Sequence, residues 1–339
     1  MNRALFFRGT FQRFVGVVAV LLLFAVLMSS CQGDVQQPPQ PPATPGELEV
    51  PDVPPEIDTG ERQEPVISVY IAEEDRIEEM PMETYIRGVV AGEMEPTWPM
   101  EALAAQAIIA RTFTLQKIEE TGGVPQRGAH ASTDIEEFQA YSKEDITDAV
   151  EQAVETTRGQ VLCHDGALIR SWFSAYAGPK TALADEGLDF EGGNPPYIQI
   201  VDSPGQEIIP EEEGDWSESF PLDRVREAVQ DLTGEDPGSI ETVEIAERGP
   251  SGRAVTLTIN GQEVSAPDLR LALGSTEMRS TFLEELSMEG DSVQMAGTGF
   301  GHGVGLCQWG ARAMAENGSS PGEIVNYFYK NVDLVTLWD

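Results

Sequence analysis

The chain has 339 residues, of which 58 are Asp or Glu and 21 are Lys or Arg, for a net charge of −37. Such a balance repels nucleic acid and anionic lipid, and no basic stripe interrupts it. Only four lysines are present, Lys117, Lys143, Lys180 and Lys330. Acid excess with so little lysine fits very salty surroundings, where at about 1 M salt the screening length falls to about 3 Å and self-repulsion fades.

Taken in chain order, Arg3, Arg8 and Arg13 precede an apolar run, Val15 to Met28, that is short for a membrane span. LMSSC follows, and small residues before Cys31 have the form of a lipoprotein signal over residues 1–31, with Cys31 as the lipidated N-terminus. Losing residues 1–30, which hold three arginines and no acid, takes the net charge from −37 to −40. The expectation is an exported envelope lipoprotein that meets the membrane only through its lipid. It would lie in the periplasm or outer membrane of a two-membrane cell, or on the outer face of the cytoplasmic membrane. An uncleaved anchor is the alternative. Residues 32–65 are too rich in proline for sheet or helix and read as an extended tether.

The part from 66 to 339 reads as one α+β domain, because strands and helices are interspersed with hairpins. VISVYIAEEDRIEEM gives a strand and its turn, and PMETYIRGVV a short helix followed by a loop, AGEMEPTWP. A long helix runs from Pro99 to the TGG stop at 121–123, with Leu103, Ala107, Ala110 and Thr114 on one stripe. Residues 124–145 are loop-like, ITDAVEQAVETT is an amphipathic helix, and GQVLCHDGALIRSWFSAYAGPKT holds two strands and a glycine loop. DRVREAVQDLTG is helical, ETVEIAERGPSGRAVTLTINGQEVSA a hairpin, and APDLRLALG with its continuation another helix. Helices at ARAMAENG and SSPGEIVNYFYKNV close the chain.

Glycine occupies every odd position from Gly297 to Gly305, in GTGFGHGVG. Strict alternation cannot supply GxGxxG, so a nucleotide loop is excluded. A bare backbone there either admits a flat ligand, or the loop of a catalytic residue, or serves tight internal packing. His302 within it suits an acid, a base, a metal ligand or, as the commoner case, a hydrogen-bonded structural role. Glu93, in GEMEP, sits in an apolar, aromatic-bearing loop where desolvation raises a carboxyl pKa, the state that glycosidic cleavage requires. Glu95 and Glu101 read as acids at a helix start, and Glu83 as a surface residue. Arg111, inside AIIARTF, needs a buried partner, structural or substrate. Cys163 and Cys307 are too few for a disulfide framework and read as small buried thiols, a bridge between the two being the alternative. No GxSxG elbow supports a serine triad.

YIRGVVAGEMEPTWPMEALAAQAIIARTFTL, FSAYAGPKT, LRLALGSTEMRST and GFGHGVGLCQWGARAMAENG together resemble the stage II sporulation protein D family, which includes the amidase-enhancer proteins. The resemblance implies an α+β fold and, by the sporulation members, lytic cleavage of peptidoglycan glycan strands stripped of stem peptides. It places the catalytic glutamate at Glu93. It places substrate-binding or supporting roles at Gln106 and Arg111, at Gly178 and Thr181 of AGPKT, and at Gly301, His302, Gly303 and Gln308. Pro179 replaces a glycine of the family's loop. Some members bind zinc through His and Cys residues ahead of FQAY; HASTDIEEFQAY has no cysteine, so neither metal nor cofactor is expected. The competing implication is a non-catalytic wall-binding protein that stimulates a separate amidase. A second copy of the chain stays open as a partner.

Overall fold

The computed structural model describes residues 49–339; the signal segment and Cys31 lie outside the described residues. The chain is an α+β mixture of helices and small, mainly antiparallel sheets. At its centre stands α2, Met100–Thr121, preceded by α1, Met82–Glu93. Pro99 and Pro81 occupy the N-cap positions, where a missing N–H costs nothing. Gly122, at φ 70°, ends α2 by donating to the Ile118 carbonyl at 2.8 Å. The expected single stripe proves too narrow. Ala102 to Thr112, Thr114, Leu115 and Ile118 are all buried, so α2 is enclosed on nearly every side by α1 and by the helices Asp148–Thr156, Gln308–Glu316 and Pro321–Phe328. Its alanines make that approach short.

Around this core lie three small sheets. Val66–Ile71 pairs antiparallel with Arg76–Pro81 and parallel with Ala131–Ser132. Gln160–His164 lies between Asp333–Thr336 and Ala167–Leu168. Leu306–Cys307 runs parallel to Phe173–Ser174, which lays the glycine-rich segment against residues 172–176. The expected tether is shorter than its proline content implies. Ile57 is buried in the main core, and Glu64 accepts from the Glu83 N–H and pairs with Arg158.

Residues 215–298 build a second core from Phe220, Val225, Leu257, Leu269, Val293 and their neighbours. The 241–266 segment is three strands, not a simple hairpin: Val243–Arg248, Ala254–Ile259 and Gln262–Ser265. The helix Ala266–Ala272 stops there. Its expected continuation is instead the hairpin Leu283–Glu289 and Ser292–Thr298, turning at Gly290 (φ 62°) and paired on its far edge with Asp215–Pro221. Leu286 and Met288, with Val293 and Met295, supply an alternating apolar face that outweighs the helix preference of EEL and SME.

Glu83 corrects the sequence reading most sharply: it is 1% exposed. Its carboxylate receives both Nε (3.0 Å) and Nη2 (2.6 Å) of Arg111, the Gly159 N–H (3.0 Å) and the Trp338 indole N–H (2.9 Å). Arg111 also donates to the Gln160 carbonyl at 2.8 Å. One ion pair thus ties both central helices to the strand at Gln160 and to the C-terminal turn. Breaking such a pair strands a buried charge, which costs about 3–5 kcal/mol. Arg111→Met is expected to lose about that much in urea unfolding, and a loss under about 1 kcal/mol would contradict the role given to it.

Candidate active site

The site begins with two glycines four residues apart on α1. A Cβ at Gly88 would overlap the Tyr141 ring, and one at Gly92 would stand 2.6 Å from the Tyr141 nitrogen and 2.8 Å from the Ala140 carbonyl carbon. Their bare face lets residues 140–142 cross the helix in contact, with the Ser142 N–H donating to the Gly88 carbonyl at 2.9 Å. That crossing brings the Ala140 N–H to Glu93 Oε1 at 2.7 Å. Glu93 is the last residue of α1, not part of a loop as the sequence suggested, so its backbone is fixed by helix geometry.

Glu93 is partly buried. Desolvation pushes its carboxyl from 4.5 up to about 7, against smaller downward effects from the Ala140 N–H and the Gln308 amide. Gln308 is 5% exposed, and although it lies beside Glu93, its Nε2 meets no acceptor in full hydrogen-bond geometry. Both residues line a cleft of about 770 Å³. Its wall runs from Ala91 through Trp98 and Ala140–Ser142 to Ala175 and Tyr176, and is completed by Arg279, Phe300 and Trp309. The remaining ionisable lining groups are Glu95, Asp145, Glu212 and Glu213. Trp98 and Trp309 stand 4.9 Å apart, with the Arg312 guanidinium over both rings.

Of the residues expected from sequence, Glu93 and Gln308 meet in this cleft; the others do not line it. Arg111 pairs with Glu83. Gln106 is fully buried with both amide atoms unpartnered. Thr181 is buried and holds the Val201 N–H (2.8 Å) and the Gln199 carbonyl (2.9 Å), so it staples a loop. Gly178 takes φ 65° against Thr298. His302 accepts from the Val304 N–H at 3.0 Å; burial, with Arg270 and Arg253 nearby, lowers its pKa to about 3 and leaves a neutral imidazole.

The alternating glycines answer to internal packing rather than to a ligand platform. A Cβ at Gly297 would strike the Phe282 carbonyl, at Gly301 the Ser174 side chain, at Gly303 the Arg253 guanidinium and at Gly305 the Trp172 carbonyl. Gly301, Gly303 and Gly305 also take φ values between 74° and 106°. Arg253 escaped the sequence reading. It reaches from the second core into the first, donating to the carbonyls of Lys180 (2.9 Å) and Ala177, while burial pushes its pKa down to about 10. Glu186, also buried, lies close enough to oppose that shift. Cys163 and Cys307 are free and buried. Among the described residues no group of three or more His, Cys, Asp or Glu is placed to hold a metal, and His130 is taken up by Ser68.

A family model described as stage II sporulation protein matches residues 70–164, and a domain of unknown function matches residues 211–305. Both regions contribute to the cleft, the first through Glu93 and Tyr141, the second through Arg279 and Phe300. The chain is 31% identical over 287 residues to stage II sporulation protein D of Bacillus amyloliquefaciens, covering 80% of each protein. It is 31% identical over 264 residues to an uncharacterized protein of Brachyspira hyodysenteriae, covering 76% of this chain and 68% of that one. An amidase enhancer of Bacillus subtilis is 27% identical over 298 residues, 74% of this chain and 40% of the enhancer. The chain belongs to the stage II sporulation protein D family.

Two outcomes follow from this geometry. Between pH 4.5 and about 7 the folded protein keeps the Glu93 proton that the unfolded chain has released. The resulting stability is complete below 4.5 and is lost as pH rises through 7. Glu93→Gln, which still accepts from Ala140, is therefore expected to unfold at higher urea than the parent at pH 8 and at equal urea at pH 4; an offset independent of pH contradicts the shifted carboxyl. Gly92→Ala gains about 1 kcal/mol of helix propensity, but its methyl group meets backbone that cannot swing aside. A net loss of about 1–3 kcal/mol is expected, and a net gain in melting temperature would show that the crossing is loose.

Proposed function

We propose that the protein is an envelope-bound lytic transglycosylase that cleaves the bond from N-acetylmuramic acid to N-acetylglucosamine in peptidoglycan strands. The observation that carries this reading is a single carboxyl group, Glu93, held in a cleft with a pKa of about 7, so that it both gives and takes a proton near neutrality. Glu93 donates its proton to the bridging oxygen as the C1–O bond breaks, releasing the 4-hydroxyl of N-acetylglucosamine. The carboxylate then takes the proton of the muramyl C6 hydroxyl as O6 closes on C1, giving a 1,6-anhydro ring and restoring the acid. No water is consumed, and so no second carboxylate need activate one, unlike in hydrolytic glycosidases.

Other features support a sugar in the cleft. Its volume lies within the usual range for small-ligand sites of about 300–1,000 Å³. Tyr141, Trp98 and Phe300, each partly exposed in the lining, offer apolar faces for pyranose rings. The Ala140 N–H steadies Glu93 in its carboxylate form, and the Gln308 amide has an uncommitted Nε2 beside it. Acid–base action of this kind accounts for about 10²–10⁴-fold, with positioning and electrostatics supplying the remainder.

The likeness to an amidase enhancer supports a second reading, a wall-binding protein that stimulates a separate amidase. One assay separates the two. Purified protein is incubated with denuded strands at ordinary and at high salt, and products are read by mass spectrometry. Anhydromuramyl products that fall at least about 10²-fold in Glu93→Gln are expected. Absence of products with faster amidase turnover would replace the first reading by the second.

A further inference from the structure

The cleft at Glu93 does not end at Tyr141. Tyr141 and Ser142 also line a second cavity of about 440 Å³, whose other walls include the hairpin from Ile71 to Met80 and Thr84 of α1. Helix α1 is the floor common to both. Thr84, Gly88 and Gly92 follow at intervals of four and so share one helix face. Gly92 borders the cleft and Thr84 the second cavity, a step of about 12 Å along the helix axis.

Tyr141 lies along that face. Its backbone crosses at Gly92, where a Cβ would stand 2.6 Å from the Tyr141 nitrogen, and its ring covers Gly88, where a Cβ would overlap the ring carbons. The side chain therefore points from the cleft toward the second cavity. Burial raises the pKa of its hydroxyl, and so does the charge of Glu78, a residue that lines the second cavity and not the cleft. Stacking on Tyr85, with ring centres 5.8 Å apart and planes at 16°, fixes that direction. The ring still remains partly exposed.

Ionic groups of the second cavity largely satisfy one another. Arg76 pairs with Glu74 and Glu78, and Lys143 stands near Glu74. Glu73 and Glu144 are left over among the described residues, and their charge disfavours an anion. Ile71 and the Tyr141 ring offer partly exposed apolar surface, and Thr84 an exposed hydroxyl. Such walls suit a neutral ring with apolar faces and a rim of hydroxyl groups.

We propose that this cavity is a second sugar-binding site, reached over Tyr141, that seats neutral N-acetylglucosamine units of a strand whose scissile bond lies at Glu93. It rests on the glycan-cleaving reading above. A polymer cut at an internal bond leaves the cleft on both sides, and the face of α1 gives it a path on one of them. Hold on the strand then grows with the number of sugars beyond the bond.

Binding to the full chain carrying Glu93→Gln, in which turnover is suppressed, tests this. The probes are denuded strands of four sugars and of eight. About tenfold tighter binding of the longer strand is expected. Adding Thr84→Gln, which lengthens an exposed side chain into the second cavity at little cost to the helix, is expected to remove most of that gain and leave the shorter strand unaffected. Ile71→Tyr, which fills the cavity from the hairpin side, is expected to do the same, so the test survives if one variant fails to fold. Equal affinity for both lengths without either change overturns the proposal, and so does a gain that persists in a folded variant. Equal weakening of both lengths by the variants overturns it too, since a disturbed cleft or fold acts that way. Failure of both strands to bind overturns the functional reading together with this inference, whereas binding that ignores length removes this inference alone.

Discussion

The hydrogen bond from the Ala140 N–H to the Glu93 carboxylate is the contact on which the site depends. It exists because α1 presents no side chain at Gly88 or Gly92, so the 140–142 segment lies directly on the helix. The bond favours the ionised carboxyl, while the surrounding burial favours the neutral one, and burial wins by enough to bring the pKa to about 7. A group balanced in this way changes protonation state at little cost in either direction. General acid–base chemistry near neutrality requires that property, and an exposed glutamate lacks it.

Two buried arginines hold the frame in which that balance is struck. Arg111, with Glu83, locks the start of α1 to α2 and to the chain's end, so the helix that delivers Glu93 cannot slide. Arg253 fastens the second core to the loop at Ala177–Lys180, and Gly303 is bare to make room for it. Arg111 is held by a carboxylate and carbonyls and Arg253 by two carbonyls, with its Nε left unpartnered, and both work far from solvent. Arg279 is the contrast: similarly fixed in its backbone, it leaves most of its donors unused and faces the cleft.

Much of this was legible in the sequence where local chemistry decides. Pro99 and the TGG stop marked α2, alternation marked the strand at Val66, and the motif around Glu93 pointed to the residue that lies in the cleft with Gln308. Features that depend on distant partners were not legible. Glu83 read as surface because its partners are 28, 76 and 255 positions away. The 283–298 hairpin read as helix because glutamate, leucine and methionine favour helices locally, whereas its alternating face is used only against the second core. The glycine alternation was visible, but its cause was not, since Ser174, Arg253 and Trp172 come to it from elsewhere in the chain. A G-x-x-x-G spacing at Gly88 and Gly92 was the available signal for the crossing at Tyr141.

The protonation of this one side chain, Glu93, is directly measurable. Infrared difference spectra across a pH titration, taken for the parent protein and for Glu93→Gln, isolate that carboxyl among 58 acids. A carbonyl band that vanishes with a midpoint near pH 7 and is missing from the variant is expected. A midpoint near 4.5 for the same band would contradict the shifted carboxyl.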